Sequence, residues 1–363
     1  MAPMVLILLA VSFALSCALV AIIKHVAPTL GFVDKPGHRK IHHVPKPLGG
    51  GVAIYLAIAL PLLAGLAYVS LAPPPDLLGG ALAVHWPGIR FQTPLAVGVL
   101  VAMTAMHLLG LRDDWRALGP YLKLVVQLLV IGTLVVGFDL RALTFMGYVP
   151  SVILTILWIA AVTNALNFLD NMDGLSAGVA AVVCCALLIA ALSIGQWFVA
   201  ALLALLLGAL LGFLCYNFSP ASIFMGDSGS LLVGLLLGVL SIRTTYLRPG
   251  QSLAAGWYSI LAPVVALAVP LYDLVVVSLI RISRGKSPFV GDTNHLSHRL
   301  VARGMSRRTA VLCIYLMTAA TSVGAILLAH VDSRPAAMLI LIQALLVLGL
   351  VALLEQHPLP RET

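Results

Sequence analysis

Residues 151–194 read SVILTILWIAAVTNALNFLDNMDGLSAGVAAVVCCALLIAALSI, and their pattern decides the fold class. An apolar run over 151–168 meets a short polar break, and a second apolar run over 176–194 follows. Each run is long enough to cross a bilayer as a helix, the element that satisfies its own backbone polar groups in hydrocarbon. The break carries Asp170, Asn171 and Asp173, so the polar groups collect where two such helices would turn.

The pattern repeats outward along the chain. Further apolar runs lie at about 3–23, 50–71, 94–110, 121–137, 197–215, 229–246, 256–280, 309–329 and 336–354, which makes eleven in all. Gly195 and Gln196 form the thinnest break. Of 363 residues, 61% are hydrophobic and 9% charged, against about 25% charged in a soluble domain. That excludes a soluble globule. Five cysteines, an odd number and all within apolar runs, exclude a disulfide scaffold. The 3–23 run is longer than a signal-peptide core and has no basic residue before Lys24, so it reads as a retained helix. The expected fold is all-α: a single polytopic membrane domain of about eleven transmembrane helices over 1–363, with little sheet. The Pro/Gly-rich segment at 72–88 reads as an outer loop.

Charge sets the expected orientation. Sixteen of the 21 basic residues fall on alternate connections, from Lys24 to Lys46, Arg112 to Lys123, Arg281 to Arg308, and at Arg361. The positive-inside rule places these in the cytoplasm, with the N-terminus outside and the C-terminus inside. The net charge of +8 is then mostly a topology signal and gives no reason to invoke nucleic acid. Ten of the thirteen acidic residues lie on or beside the same connections, which random solvating charge would not produce.

Four polar clusters stand out. Asp113 and Asp114 are adjacent at the end of a span, where a divalent cation or a paired base would relieve their repulsion; a solvated pair balanced by Arg112 and Arg116 is the bland alternative. Asn164, Asn167 and Asp170 are spaced by three, on related helix faces, with Ser176 placed to cap the next helix. Asp227, between Gly226 and Ser228, is either a helix N-cap or a metal-ligand carboxylate, with free N–H groups behind it for a phosphate. The loop at 281–308 brings seven basic residues with His295 and His298, a set suited to diphosphate rather than zinc. Asp273 lies deeper in a span, where an acid is a functional candidate by default.

In this order, over residues 32–308, these segments resemble the polyprenyl-phosphate N-acetylhexosamine-1-phosphate transferase superfamily. The matching parts are the opening Val33–Gly51, the pair Asp113-Asp114, Asn164 through Asp173, Phe224 through Gly234, Asp273, and residues 287–300. Two positions depart from the family. Ser297 stands where a histidine is common in its His-x-His-His loop, and Asn171 stands where it usually has glycine. The last loop resembles the branch using UDP-N-acetylhexosamine; the phospho-MurNAc-pentapeptide branch, the runner-up, carries three consecutive histidines there.

The resemblance implies transfer of N-acetylhexosamine-1-phosphate, most readily GlcNAc-1-phosphate, from a UDP-sugar to undecaprenyl or another polyprenyl phosphate, releasing UMP. It implies Mg²⁺, with Mn²⁺ able to substitute, and an active site on the cytoplasmic face of the inner (plasma) membrane. The catalytic loops would lie near 32–50, 112–121, 168–176, 216–229 and 281–308. A homodimer is compatible with it. Under it, Asp227 is the main metal ligand with Asp114 or Asp170 assisting, and Asp113 orients or deprotonates the lipid phosphate. Asn164 and Asn167 contact substrate, His295, His298 and Arg299 hold the diphosphate, and Lys40 helps bind one phosphate. The competing class is a transporter of an anionic solute, whose site would lie near the bilayer midplane.

Overall fold

The computed structural model describes residues 1–34, 45–72, 81–244, 257–288, 292–328, 330–331 and 333–356. Its helices are α1 (Ala2–Thr29), α2 (Gly50–Leu71), α3 (Ala81–Trp115), α4 (Pro120–Gly137), α5 (Tyr148–Leu169), α6 (Leu175–Ser193), α7 (Trp197–Asn217), α8 (Asp227–Arg243), the short α9 (Ala262–Ala266), α10 (Ala268–Ser283), α11 (Leu296–Ala302), α12 (Arg307–Leu328) and α13 (Arg334–Gln356). Sheet is confined, among the described residues, to β1 (Val33–Asp34) paired antiparallel with β2 (Lys46–Pro47). The chain is an all-α polytopic membrane protein.

Among the described residues, nine helices are long and apolar enough to cross a membrane. The other two apolar runs of the sequence also form helix, but differently. The 229–246 run gives the 17-residue α8. The 256–280 run gives a broken element, bent by 68° between its Trp257–Ala266 and Ala268–Ser283 parts. Pro263 and Pro270 flank that bend, each lacking the N–H that a continuous helix would use. The expected outer loop at 72–88 is shorter than its composition suggested, because α3 already begins at Ala81 and runs through Pro87 and Pro94.

α8 is the axis of the bundle. Every residue from Ser228 to Ser241 is buried. α3 and α5 pack against it, while α1 packs along α7. Small residues permit this closeness: a Cβ at Gly110 of α3 would collide with the backbone of Asp227 and Ser228. The start of α2 is tied to the strand-like lead into α8, since the Gly50 N–H donates to Phe224 O and the Gly51 N–H to Met225 O, both at 3.0 Å. Phe224 N–H in turn donates to Pro47 O at 2.9 Å. The ends of α2, α3, α5 and α8 are therefore held to one another at one end of the bundle, where the polar residues of the connections collect.

Candidate active site

Helix-end chemistry builds the centre of this cluster. Gly226, in the left-handed region at φ 72°, turns the chain into α8 and makes Asp227 its first residue. Asp227 is thus not the N-cap. The cap comes from another helix: Asp114, at the end of α3, accepts the N–H of Asp227 at 2.7 Å and of Ser228 at 3.0 Å. Two of the N–H groups expected to be free for phosphate are consumed in this way. A Cβ at Gly226 would sit 2.5 Å from Asp114 Oδ2, so the close approach requires glycine there.

Asp227, with its backbone fixed, has its side chain gripped from both sides. Asn167 Nδ2 donates to Asp227 Oδ1 and to Ser230 Oγ, each at 2.8 Å. Lys123 Nζ, from α4, pairs with Asp227 Oδ2 and, at 3.2 Å, with Asp113 Oδ2. Asp113 also accepts the Leu118 N–H. Lys123 thus bridges two carboxylates that would otherwise repel. Its composition context marked it only as a topology charge.

Asp170 lies one residue beyond the end of α5. Burial, then the nearby Asp227 and Asp114 carboxylates, push its carboxyl up to about 8. Below that pH it holds a proton unless a cation arrives, because burial and the Asp227 and Asp114 carboxylates oppose its charge. Asp173 accepts the Ala221 N–H at 2.9 Å, and Lys46 Nζ donates to Ala221 O at 2.6 Å. Together these groups line a cavity of about 720 Å³ whose walls include Asp113, Asp114, Asp170, Asp173 and Asp227. Lys46, His298 and Arg307 supply basic or imidazole groups to the same walls.

Several expected contacts do not reach that cavity. Asn164 turns toward α4, where its Nδ2 donates to Gln127 Oε1 at 2.9 Å and to Ala160 O at 2.8 Å. Ser176 does not cap α6; its hydroxyl donates to Leu166 O at 2.8 Å. Asp273 is fully buried and anchors the last loop, with His295 Nδ1 at 2.9 Å from Oδ2 and the Leu296 N–H donating to Oδ1 at 2.6 Å. His295 is buried beside it, edge-on to Phe168. Arg299 pairs with Glu355 of α13 at 2.8 Å and lies 3.8 Å from Asp273. Neither His295 nor Arg299 lines the cavity, because each is spent on internal acids far away in the chain. In the fold they hold the loop. Lys40 lies outside the described residues.

Three basic residues emerge that the sequence did not single out. Lys123 bridges the carboxylates, and Arg307 faces the cavity. Arg281 is buried; it donates to Pro288 O at 2.6 Å and to Asp292 Oδ1 at 3.0 Å, and its guanidinium lies over the Phe168 ring. Burial opposes ionisation of Asp292, yet Arg281 and Asn294 more than offset it and hold the carboxyl well below its usual range. His298 is half-buried; burial, then its neighbour His295, lowers its pKa, which leaves it a neutral hydrogen-bonding ring near pH 7.

The donor set fits a hard divalent cation. Asp227 and Asp170 line the same cavity and offer carboxylate oxygens of the kind Mg²⁺ takes. Asp114 is already committed to the backbone of α8.

Comparison with known proteins agrees in direction. The family model for glycosyl transferase family 4 matches residues 96–245. A probable undecaprenyl-phosphate N-acetylglucosaminyl 1-phosphate transferase of Bacillus subtilis is 32% identical over 85% of this chain and 80% of its own length. A decaprenyl-phosphate N-acetylglucosaminephosphotransferase of Mycolicibacterium smegmatis is 32% identical over 93% and 85%. An undecaprenyl-phosphate alpha-N-acetylglucosaminyl 1-phosphate transferase of Escherichia coli is 27% identical over 82% and 76%.

Proposed function

The chain belongs to the polyprenyl-phosphate N-acetylhexosamine-1-phosphate transferases of glycosyl transferase family 4, and from that premise we propose that it transfers GlcNAc-1-phosphate from UDP-GlcNAc to a polyprenyl phosphate, releasing UMP. The observation that carries this reading is the gathering of seven aspartates, Asp113, Asp114, Asp170, Asp173 and Asp227 among them, with Lys46 and Arg307 around one cavity at one end of a membrane bundle, Asp227 being held from behind by Lys123. A transporter site would sit at mid-bundle, and the acid deep in a span, Asp273, is committed to holding a loop.

The proposal extends to topology: eleven spans, the N-terminus outside, and the cavity open to the cytoplasm of the inner membrane. One substrate is then a lipid and the other a soluble nucleotide, and the cavity lies where both can reach it. Asp227 and Asp170 would hold the divalent cation, Mg²⁺ with Mn²⁺ able to substitute. When bound, that ion offsets the charge of the diphosphate and of the incoming lipid phosphate.

The remaining work falls to the chain. Asn167 and Lys123 fix Asp227 in one rotamer. Asp114 fixes its backbone. Lys46 and Arg307 supply positive charge to the cavity wall, and neutral His298 offers a hydrogen bond. Asp113 orients the lipid phosphate through Lys123, whose Nζ it holds at 3.2 Å. A base is dispensable. A phosphomonoester has a second pKa of about 6, so much of the acceptor is a dianion at pH 7. The acceptor oxygen then attacks the β-phosphorus directly, a new O–P bond forms, and the bond to UMP breaks, with the electron pair leaving on UMP.

The test uses UDP-GlcNAc labelled at the β-phosphorus with purified protein. Label should appear in a polyprenyl-diphospho-GlcNAc product and, with lipid omitted, nowhere on the protein. A labelled protein adduct formed without lipid would replace direct attack by a covalent intermediate on Asp113. No lipid product from any UDP-N-acetylhexosamine would overturn the substrate assignment.

A further inference from the structure

Asn171, next to Asp170, and Ser297, next to His298, touch in the fold. Ser297 is fully buried, and its hydroxyl donates to Asn171 Oδ1 at 2.6 Å across 126 residues of sequence. The other end of the Asn171 carboxamide donates from Nδ2 to Phe168 O at 2.7 Å. Asn171 also lines the cavity. The link therefore runs from the last residues of α5 to α11. On one side it neighbours Asp170 and Asp173; on the other it lies within the helix that carries His298.

We propose that Asn171 and Ser297 form a single positioning unit, which fastens the Asp170–Asp173 turn to the His298 helix and so sets the wall of the site that receives the diphospho-sugar. A buried hydroxyl bonded to a carboxamide loses a partner when either side is truncated, and the orphaned group pays its desolvation cost. Ser297 has no exposed surface and contacts the Asn171 side chain directly. An imidazole at 297 needs the space that the carboxamide of Asn171 occupies, and close-packed interiors do not supply it from elsewhere. Glycine at 171 vacates that space. Ser297→His and Asn171→Gly are then expected to compensate one another. Neither residue need touch the reacting phosphorus; both act through the placement of Asp170 and His298.

This inference rests on the transferase reading, so the experiment separates the two. Full-length protein is assayed for UMP release, with KM for UDP-GlcNAc and kcat measured separately. The variants are Asn171→Gly, Ser297→Ala, Ser297→His, and the doubles Asn171→Gly/Ser297→Ala and Asn171→Gly/Ser297→His. Coupled contact residues give non-additive effects, and here each single truncation should cost about tenfold in kcat/KM, mainly through KM, with the truncated double no worse than the poorer single. Ser297→His alone should cost about a hundredfold, and adding Asn171→Gly should restore at least about tenfold of it. Additive losses, or a Ser297→His defect indifferent to residue 171, would overturn the unit. If the wild type releases no UMP, the substrate reading fails by itself. The same cycle is then read by thermal unfolding, where non-additive midpoints sustain the unit and additive ones overturn it.

Discussion

Replacing Asp114 with asparagine keeps the shape of the side chain and removes one acceptor. In the fold both carboxylate oxygens are used, one on the Asp227 N–H at 2.7 Å and one on the Ser228 N–H at 3.0 Å. An amide can accept only one of these. Its NH₂ then faces a backbone donor. Losing a hydrogen bond to a charged group costs about 1.5–3 kcal/mol, and the buried N–H left behind adds to that. The first turn of α8 carries Asp227, so the relaxation moves the residue proposed to hold the metal. A misplacement of about 1 Å in a reacting constellation is worth roughly a hundredfold in rate. Asp114→Asn is therefore expected to lower both the thermal midpoint and kcat, the latter by about a hundredfold. UMP release against Mg²⁺ concentration, with unfolding measured on the same preparation, reads both quantities. A variant with an unchanged midpoint and a Mg²⁺ requirement raised tenfold or more would refute the reasoning and make Asp114 a metal ligand.

Other expectations follow from the same geometry. Asp227→Asn should abolish turnover while the protein still inserts and purifies; substantial remaining activity would remove Asp227 from the metal role. Lys123→Met leaves Asp113 and Asp227 without their shared cation, so kcat should drop by more than about tenfold, with Lys123→Arg recovering part of it; an indifferent response to both would show that the bridge is incidental. Gly110→Ala places a methyl group on the Asp227 backbone and should destabilise by about 1–3 kcal/mol, read as a lowered unfolding midpoint. Asp170 gives a pH signature. Its folded carboxyl titrates near 8 against about 3.9 unfolded, so the folded state binds the extra proton between those values. Metal-free protein should lose stability as pH rises from about 4 to 8, and Asp170→Asn or added Mg²⁺ should flatten that slope; a slope unaltered by either would contradict the shared-charge site.

Much of this architecture is legible in the chain because a bilayer leaves few options. Apolar runs with polar breaks have to be helices; among the described residues ten of the eleven runs fall on one helix each, and the 256–280 run falls on a bent pair. Cavity-lining Asp113, Asp170, Asp173 and Asp227 were also visible, because carboxylates at the ends of apolar helices are costly unless used. What was not legible depends on partners distant in sequence. The basic loop residues His295 and Arg299 are legible, but their pairing with Asp273 and Glu355 is not. Asn164 shares a spacing with Asn167, yet three residues of helix turn it toward Gln127 instead of Asp227. Asp227 has the local pattern of an N-cap, but the cap arrives from Asp114, 113 residues earlier. Lys123 was masked by its surroundings, since a lysine near a helix start in a basic connection reads as a topology charge. Single-residue rules rank the candidates; only the packing of α3, α4, α5 and α8 around one point decides which of them face the cavity.

The measurement that tests the central claim most directly is UMP release from UDP-GlcNAc by the purified full-length protein, with and without undecaprenyl phosphate and with and without Mg²⁺. The account predicts release only when lipid and metal are both present, and none from Asp227→Asn under the same conditions. Silence from well-folded wild-type protein across UDP-GlcNAc and a panel of other UDP-N-acetylhexosamines would contradict it.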